Sequence, residues 1–162
     1  MDFDLQKPFD EYADIWSAVT ENSRKELRSA VDKICPMWEI SLGDFFACCC
    51  GDFSFILDKK KPLLWQVIWV EAFPDFVTTF ADVCKRLTLE PSTEQKQAAQ
   101  GCLPMEWQEG ILIFARSYFG LPSFSEAENL KLCDFVLAKK DDYNTALAAR
   151  NMQKIQLQKM KK

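Results

Sequence analysis

Histidine is absent from the 162 residues, and glycine occurs only five times. Without an imidazole the chain has no side chain that ordinarily titrates near neutral pH, and none of the commonest metal ligand. A serine or cysteine nucleophile would have to rely on lysine as its base. Five scattered glycines make no phosphate-cradling loop. With seven prolines and few stretches that alternate apolar with polar, they also exclude an all-β sandwich or barrel. No apolar run reaches the ~18 residues that span a bilayer, because the lysines at 59–61, Glu71 and Asp75 bracket or break the longest one. A net charge of −4 argues against general affinity for phosphate backbones, so neither a membrane nor a nucleic acid is the expected partner.

What is present is apolar bulk. Residues of apolar type make up 48% of the chain and aromatics 13%, which excludes global disorder. One domain over 1–162 is long enough to bury a core without disulfides or metals. Trp65, Trp69, Ala72, Phe76, Phe80, Val83 and Leu87 recur at steps of three and four, the spacing that keeps one helical face apolar. The expected fold is therefore all-α, a compact multi-helix domain of about six or seven helices with a long C-terminal helix.

The segments follow from their punctuation. A helix over 8–19 carries Pro8 in its first turn, and a second, capped by Thr20 or Asn22, ends before Pro36; the two read as an antiparallel hairpin. Ser41 and Asp44 imitate a capping box for a short helix that Gly51 closes. Residues 52–61 read equally as loop, short strand or turn. The long stripe occupies 62–87, where Pro74 predicts a kink or two helices meeting at a bend. A weaker helix runs from Ser92 or Thr93 to Ala99. Pro104 opens a helix to Phe119 that is apolar on most sides and therefore expected to be central. A short helix follows the Ser123 and Glu126 capping pattern, and 132–157 forms the terminal helix, whose basic end, 150–162, is an extension prone to fray.

No constellation carries catalysis. Cys48, Cys49 and Cys50 are consecutive, and neighbours on a helix point about 100° apart, so they converge poorly on one ion. Buried, inert thiols are the expectation. The odd total of seven cysteines, and an acidic 1–9 stretch that does not read as a signal peptide, fit reduced thiols in a cytoplasm. Glu106 with Glu109 and Asp141 with Asp142 pair carboxylates, but no strong electrophile or phosphate loop accompanies them. No cofactor, no metal and no enzymatic activity are expected. Trp65 and Trp69 beside the lysines at 59–61 have the makings of a base-stacking platform, yet their helical spacing favours core packing.

A protein-binding face survives this sorting. From Lys131 onward eight basic residues oppose three acidic ones, a net +5, which leaves −9 for the rest of the chain. Such asymmetry suits contact between copies or a basic helix lying on an acidic partner. Five tryptophans and thirteen phenylalanines are more bulk than a small core readily hides, and aromatics are favoured at interface hot spots. Tyr143, Leu147, Arg150, Lys154 and Ile155 are the expected contact residues, with Asp44 and Asp52 as a polar rim; a homo-oligomer would use the same helix.

Two stretches resemble small helical proteins of tailed bacteriophages, in particular tail-assembly chaperones. One is Ser41-Leu42-Gly43-Asp44-Phe45-Phe46 leading to Gly51-Asp52-Phe53. The other runs from Leu103 through Gly110-Ile111-Leu112, Tyr118-Phe119-Gly120, Phe124 and Glu126-Ala127-Glu128 to Asp141, Tyr143 and Asn144. Together they cover under half of the chain. The resemblance implies a small cytosolic helical protein that shields apolar segments of a tape-measure protein, often as an oligomer, before the tail polymerises. It brings no catalytic residues. A small acidic phage inhibitor of a host defence nuclease would share the size, the charge and the lack of active-site chemistry.

Overall fold

The computed structural model describes residues 16–57 and 62–160. Among them every regular element is helical: α1 (Glu21–Ile34), a 3₁₀ turn (Met37–Glu39), α2 (Leu42–Cys49), α3 (Leu63–Arg86), α4 (Thr93–Ala98), α5 (Trp107–Phe119), α6 (Phe124–Glu128) and α7 (Leu132–Met160). The all-α expectation holds, and so does the long C-terminal helix. The expected helix over 8–19, and its hairpin with α1, lie outside the described residues apart from the last turn. No helix among the described residues is long and apolar enough to cross a membrane.

The chain divides into two compact units, Met1–Thr79 and Phe80–Lys162. The first is built on aromatic rings. Thr20 stands in extended conformation as the N-cap of α1, and Pro36, which cannot continue the helix, follows its C-cap Cys35. Ser41 Oγ accepts the Asp44 amide at 3.0 Å and starts α2; such a cap stabilises by about 1 kcal/mol. Gly51, at φ +87°, ends that segment in the left-handed region that a side chain disfavours. Leu42, Phe45 and Cys48 recur every third residue on the buried side of α2. Phe45 meets Phe73 at 5.8 Å and Phe76 at 6.2 Å between ring centres, and Trp38 meets Phe76 edge-on at 4.9 Å. Residues 53–57 fold into a turn, with the Ile56 and Leu57 amides donating to Phe53 O. This turn resolves the part of 52–61 that is described: Phe53 packs on Phe73 and Phe55 on Trp69, while Ile56 is buried.

Helix α3 runs unbroken through Pro74. The two-helix alternative is thus corrected. Proline removes only the hydrogen bond to Val70 O, and the 24-residue helix around it supplies the rest. The stripe read from the sequence is only part of its buried surface, since Gln66, Val67, Ile68 and Trp69 are consecutive and all buried. Trp69 Nε1 still finds a partner, donating to Cys35 O at 3.2 Å.

The second unit begins with the end of α3. Phe80 lies 6.1 Å from Phe135 of α7, which Phe114 of α5 meets edge-on at 5.6 Å. Leu132, Phe135 and Ala138 line the buried side of α7, Ala115 is the buried residue of α5, and Ala127 that of α6. Capping boxes open α4 (Ser92 with Gln95) and α6 (Ser123 with Glu126), and Gly120 at φ +65° closes α5. Two expectations change here. Helix α5 starts at Trp107, three residues after Pro104, where the Glu109 carboxylate accepts the Glu106 amide at 3.1 Å; the carboxylate pair is a helix start. Nor is α5 central: Trp107, Ile113, Tyr118 and Phe119 are exposed, because neighbours cover only its Ala115 side.

Candidate protein-binding surface

Within the second unit, the stretch that follows α3 and the first turn of α4 face the middle of α7 across an open groove of about 620 Å³. Leu87, Leu89 and Pro91 form its apolar wall, and Ala146 and Ala149 keep its floor low. Lys139, Asp142, Tyr143 and Arg150 supply the polar groups on α7. Arg150 is not at liberty to bind: its Nη2 donates to Glu90 O at 2.7 Å and lies 3.5 Å from Gln95 Oε1, so it ties the 87–95 stretch to α7. Gln95 Oε1 already accepts the Ser92 amide at 2.8 Å as half of the capping box. Lys139 lays its ammonium 4.5 Å from the centre of the Phe114 ring, a cation–π contact.

The residues expected to contact a partner are therefore distributed. Tyr143 and Arg150 line the groove, Leu147 is half-buried, and Lys154 and Ile155 stand exposed on the final turns of α7. Asp44 and Asp52 belong to the first unit, where both do local work. The Ser41 hydroxyl donates to Asp44 Oδ2 at 2.8 Å, and Asp52 Oδ1 accepts the Ser54 amide at 2.9 Å. That bond holds the Asp52 carboxyl below its ordinary range, with the Ser54 side chain adding to the effect.

More telling is a set of exposed apolar residues, of which the periodicity makes Trp107 and Phe119 packed positions of a central helix. Residues 99–107 are all exposed, and among them Leu103 shows 91% of its surface to water, with Met105 and Trp107 following on alternate positions. Beyond α5, Phe119 and Phe124 are exposed too, the latter under the Arg116 guanidinium at 5.4 Å. The signal that could have found the first three was present: apolar residues alternate around Pro104 just after Gly101, a pattern for extended chain rather than for a helix start. Isolated exposed apolar residues are ordinary; here Leu103, Met105 and Trp107 follow one another within five residues.

The expectation of buried thiols holds for Cys48 and is corrected for its neighbours, since Cys49 and Cys50 are exposed. Burial, with the Asp44 charge adding to it, pushes the Cys48 thiol up to about 12, and burial raises Cys84 to about 11 against the opposing pull of Lys139. Both are protonated at neutral pH and so are poor nucleophiles. Among the described residues no group of three or more cysteine, aspartate or glutamate side chains is placed to hold a metal ion. Tyr118 donates to Asp141 at 2.6 Å, which, ahead of a small desolvation and the nearby carboxylate charge, raises its phenol above the ordinary value. What the second unit offers is exposed apolar side chains at 103–107 and at Phe119 and Phe124, and a groove with polar side chains along α7.

Comparison of the chain with family models, with curated proteins and with solved structures gave no match.

Proposed function

We propose that this protein is a non-catalytic binding factor that holds an apolar segment of another protein, and that it acts as a phage tail-assembly chaperone. The observation that carries the reading is the apolar surface left in water by the second unit, above all Leu103, Met105, Trp107, Phe119 and Phe124. Burying such side chains against a partner gains roughly 1.5–3 kcal/mol each, and aromatic residues are the usual anchors of interfaces. A client with an amphipathic helix or an extended apolar stretch would meet these side chains through its oily face. The charge sorting supports a protein client over a nucleic acid.

Co-expression with a long helical structural protein of the tape-measure type, followed by affinity capture, tests the reading. The intact chain should retain the client, and Leu103→Ser with Trp107→Ser should lose most of it while leaving helicity unchanged. Arg150 is a poor probe of binding, because reversing its charge would also release the Glu90 stretch. Equal capture by the doubly substituted chain would reject this surface, and capture of a nuclease in place of the structural protein would reject the assembly role.

A further inference from the structure

Helix α4 has no side chain in a core. It spans six residues, none of them buried, and the exposed run around it reaches from 90 to 107. Its own bonds are local: a capping box joins Ser92 to Gln95, and the Lys96 and Ala99 amides donate to Ser92 O and Gln95 O at 2.9 and 3.0 Å. So short a helix does not hold itself in water, because ordering its first turn costs more than its few bonds return. An apolar face to seat it is missing as well, since Thr93-Glu94-Gln95-Lys96-Gln97-Ala98 offers one alanine.

The order must come from outside the segment. Leu87 and Leu89 are half-buried, but they seat the chain only as far as its approach to α4. Beyond them, among the described residues, every hydrogen bond from 90–102 to another part of the chain is made by Arg150, whose Nη2 donates to Glu90 O at 2.7 Å and lies 3.5 Å from Gln95 Oε1. One guanidinium thus grips the approach to α4 and its third residue together. We propose that α4 is a conditional helix: Arg150 latches it to α7, and release of that one side chain melts 90–102 into an extended strap while the rest of the second unit stays folded. Gly101, at φ +85° with open space where a side chain would stand, lets the strap end freely. Melting also removes Pro91, Ser92 and Gln95 from the groove wall. The proposal does not rest on client binding, since it uses none of Leu103, Trp107 or Phe124.

Tryptic nicking of the full chain after Lys96, with hydrogen exchange at the Lys96 and Ala99 amides, tests the latch. In the parent both amides should exchange more slowly than those of Leu103 and Met105. Arg150→Ala should abolish that protection and speed the nick roughly tenfold or more, the worth of a hydrogen bond to a charged group, with protection in α5 and in the first half of α7 unchanged. Alanine is a strong helix former, so α7 keeps its course. Arg150→Lys, a point charge in place of a planar fork, should fall between the two. Lys154→Ala, an exposed cation one turn further along α7, should match the parent. Protection that survives Arg150→Ala, protection absent from the parent, a loss that spreads through α5 and α7, or equal loosening by Lys154→Ala would each overturn the proposal.

Discussion

The two units spend comparable apolar bulk in opposite ways. In the first, nearly every large ring meets another ring: Trp38, Phe45, Phe53, Phe55, Trp69, Phe73 and Phe76 form one connected cluster. In the second, the contacts that hold the helices run through Phe80, Phe114 and Phe135, while Leu103, Met105, Trp107 and Phe124 remain in water. Composition already leans the same way, since four of the five tryptophans, Trp16, Trp38, Trp65 and Trp69, lie in the first unit. The difference is one of coverage: the first wraps α2 and the 53–57 turn over α3, and the second leaves α4, most of α5 and the end of α7 uncovered. The first unit covers its rings, and the second leaves much of its apolar surface exposed.

Breaking the aromatic cluster should have the largest effect. Phe45→Ala removes a fully buried ring that touches Phe46, Phe73 and Phe76, and should cost about 3–5 kcal/mol in denaturant unfolding. A smaller, pH-dependent loss should come from Cys48. Its folded value of about 12 lies above the ordinary 9.0, so the folded chain keeps a proton that the unfolded chain sheds. The resulting stabilisation is full below about pH 9 and fades as pH rises toward about 12. Unfolding midpoints measured between pH 8 and pH 11 should fall, and fall less steeply in Cys48→Ala, which starts from a lower value. Ser41→Ala should cost about 1 kcal/mol by freeing the Asp44 amide at the start of α2. At the other end of the scale, Leu103→Ser should stay within about 0.5 kcal/mol of the parent, because the residue is 91% exposed. A large destabilisation by Leu103→Ser would erase the contrast between the units.

How far the sequence reached depended on what each signal reports. Periodicity reports helices, and the boundaries of α1, α2, α4 and α6 emerged because Thr20, Ser41, Ser92 and Ser123 are capping residues whose geometry is local. Pro74 misled in one respect: a single missing amide is tolerated inside a helix of 24 residues whose flanking turns are packed. The position of α5 was illegible for a different reason. An apolar helix that is covered and one that awaits a partner have the same pattern, since periodicity states which face is oily and not what lies against it. For the candidate site, Tyr143 and Arg150 were found through the terminal helix, but the wall opposite them joins the end of the α3 stripe at Leu87 to the start of α4, and no periodicity reports that it faces α7. Arg150 itself was read as a contact for a partner, while in the structure it bonds the Glu90 carbonyl.

The uncovered stretch between α4 and α5 has a consequence for the life of the polypeptide. Its peptide bonds from 99 to 106 lie outside any helix, and they carry the apolar side chains that many proteases select. The chain by itself offers a scissile site there, and a client bound as proposed would mask it. On that proposal, the rate of nicking near Met105 would gauge occupancy, read on a gel without labelling either protein.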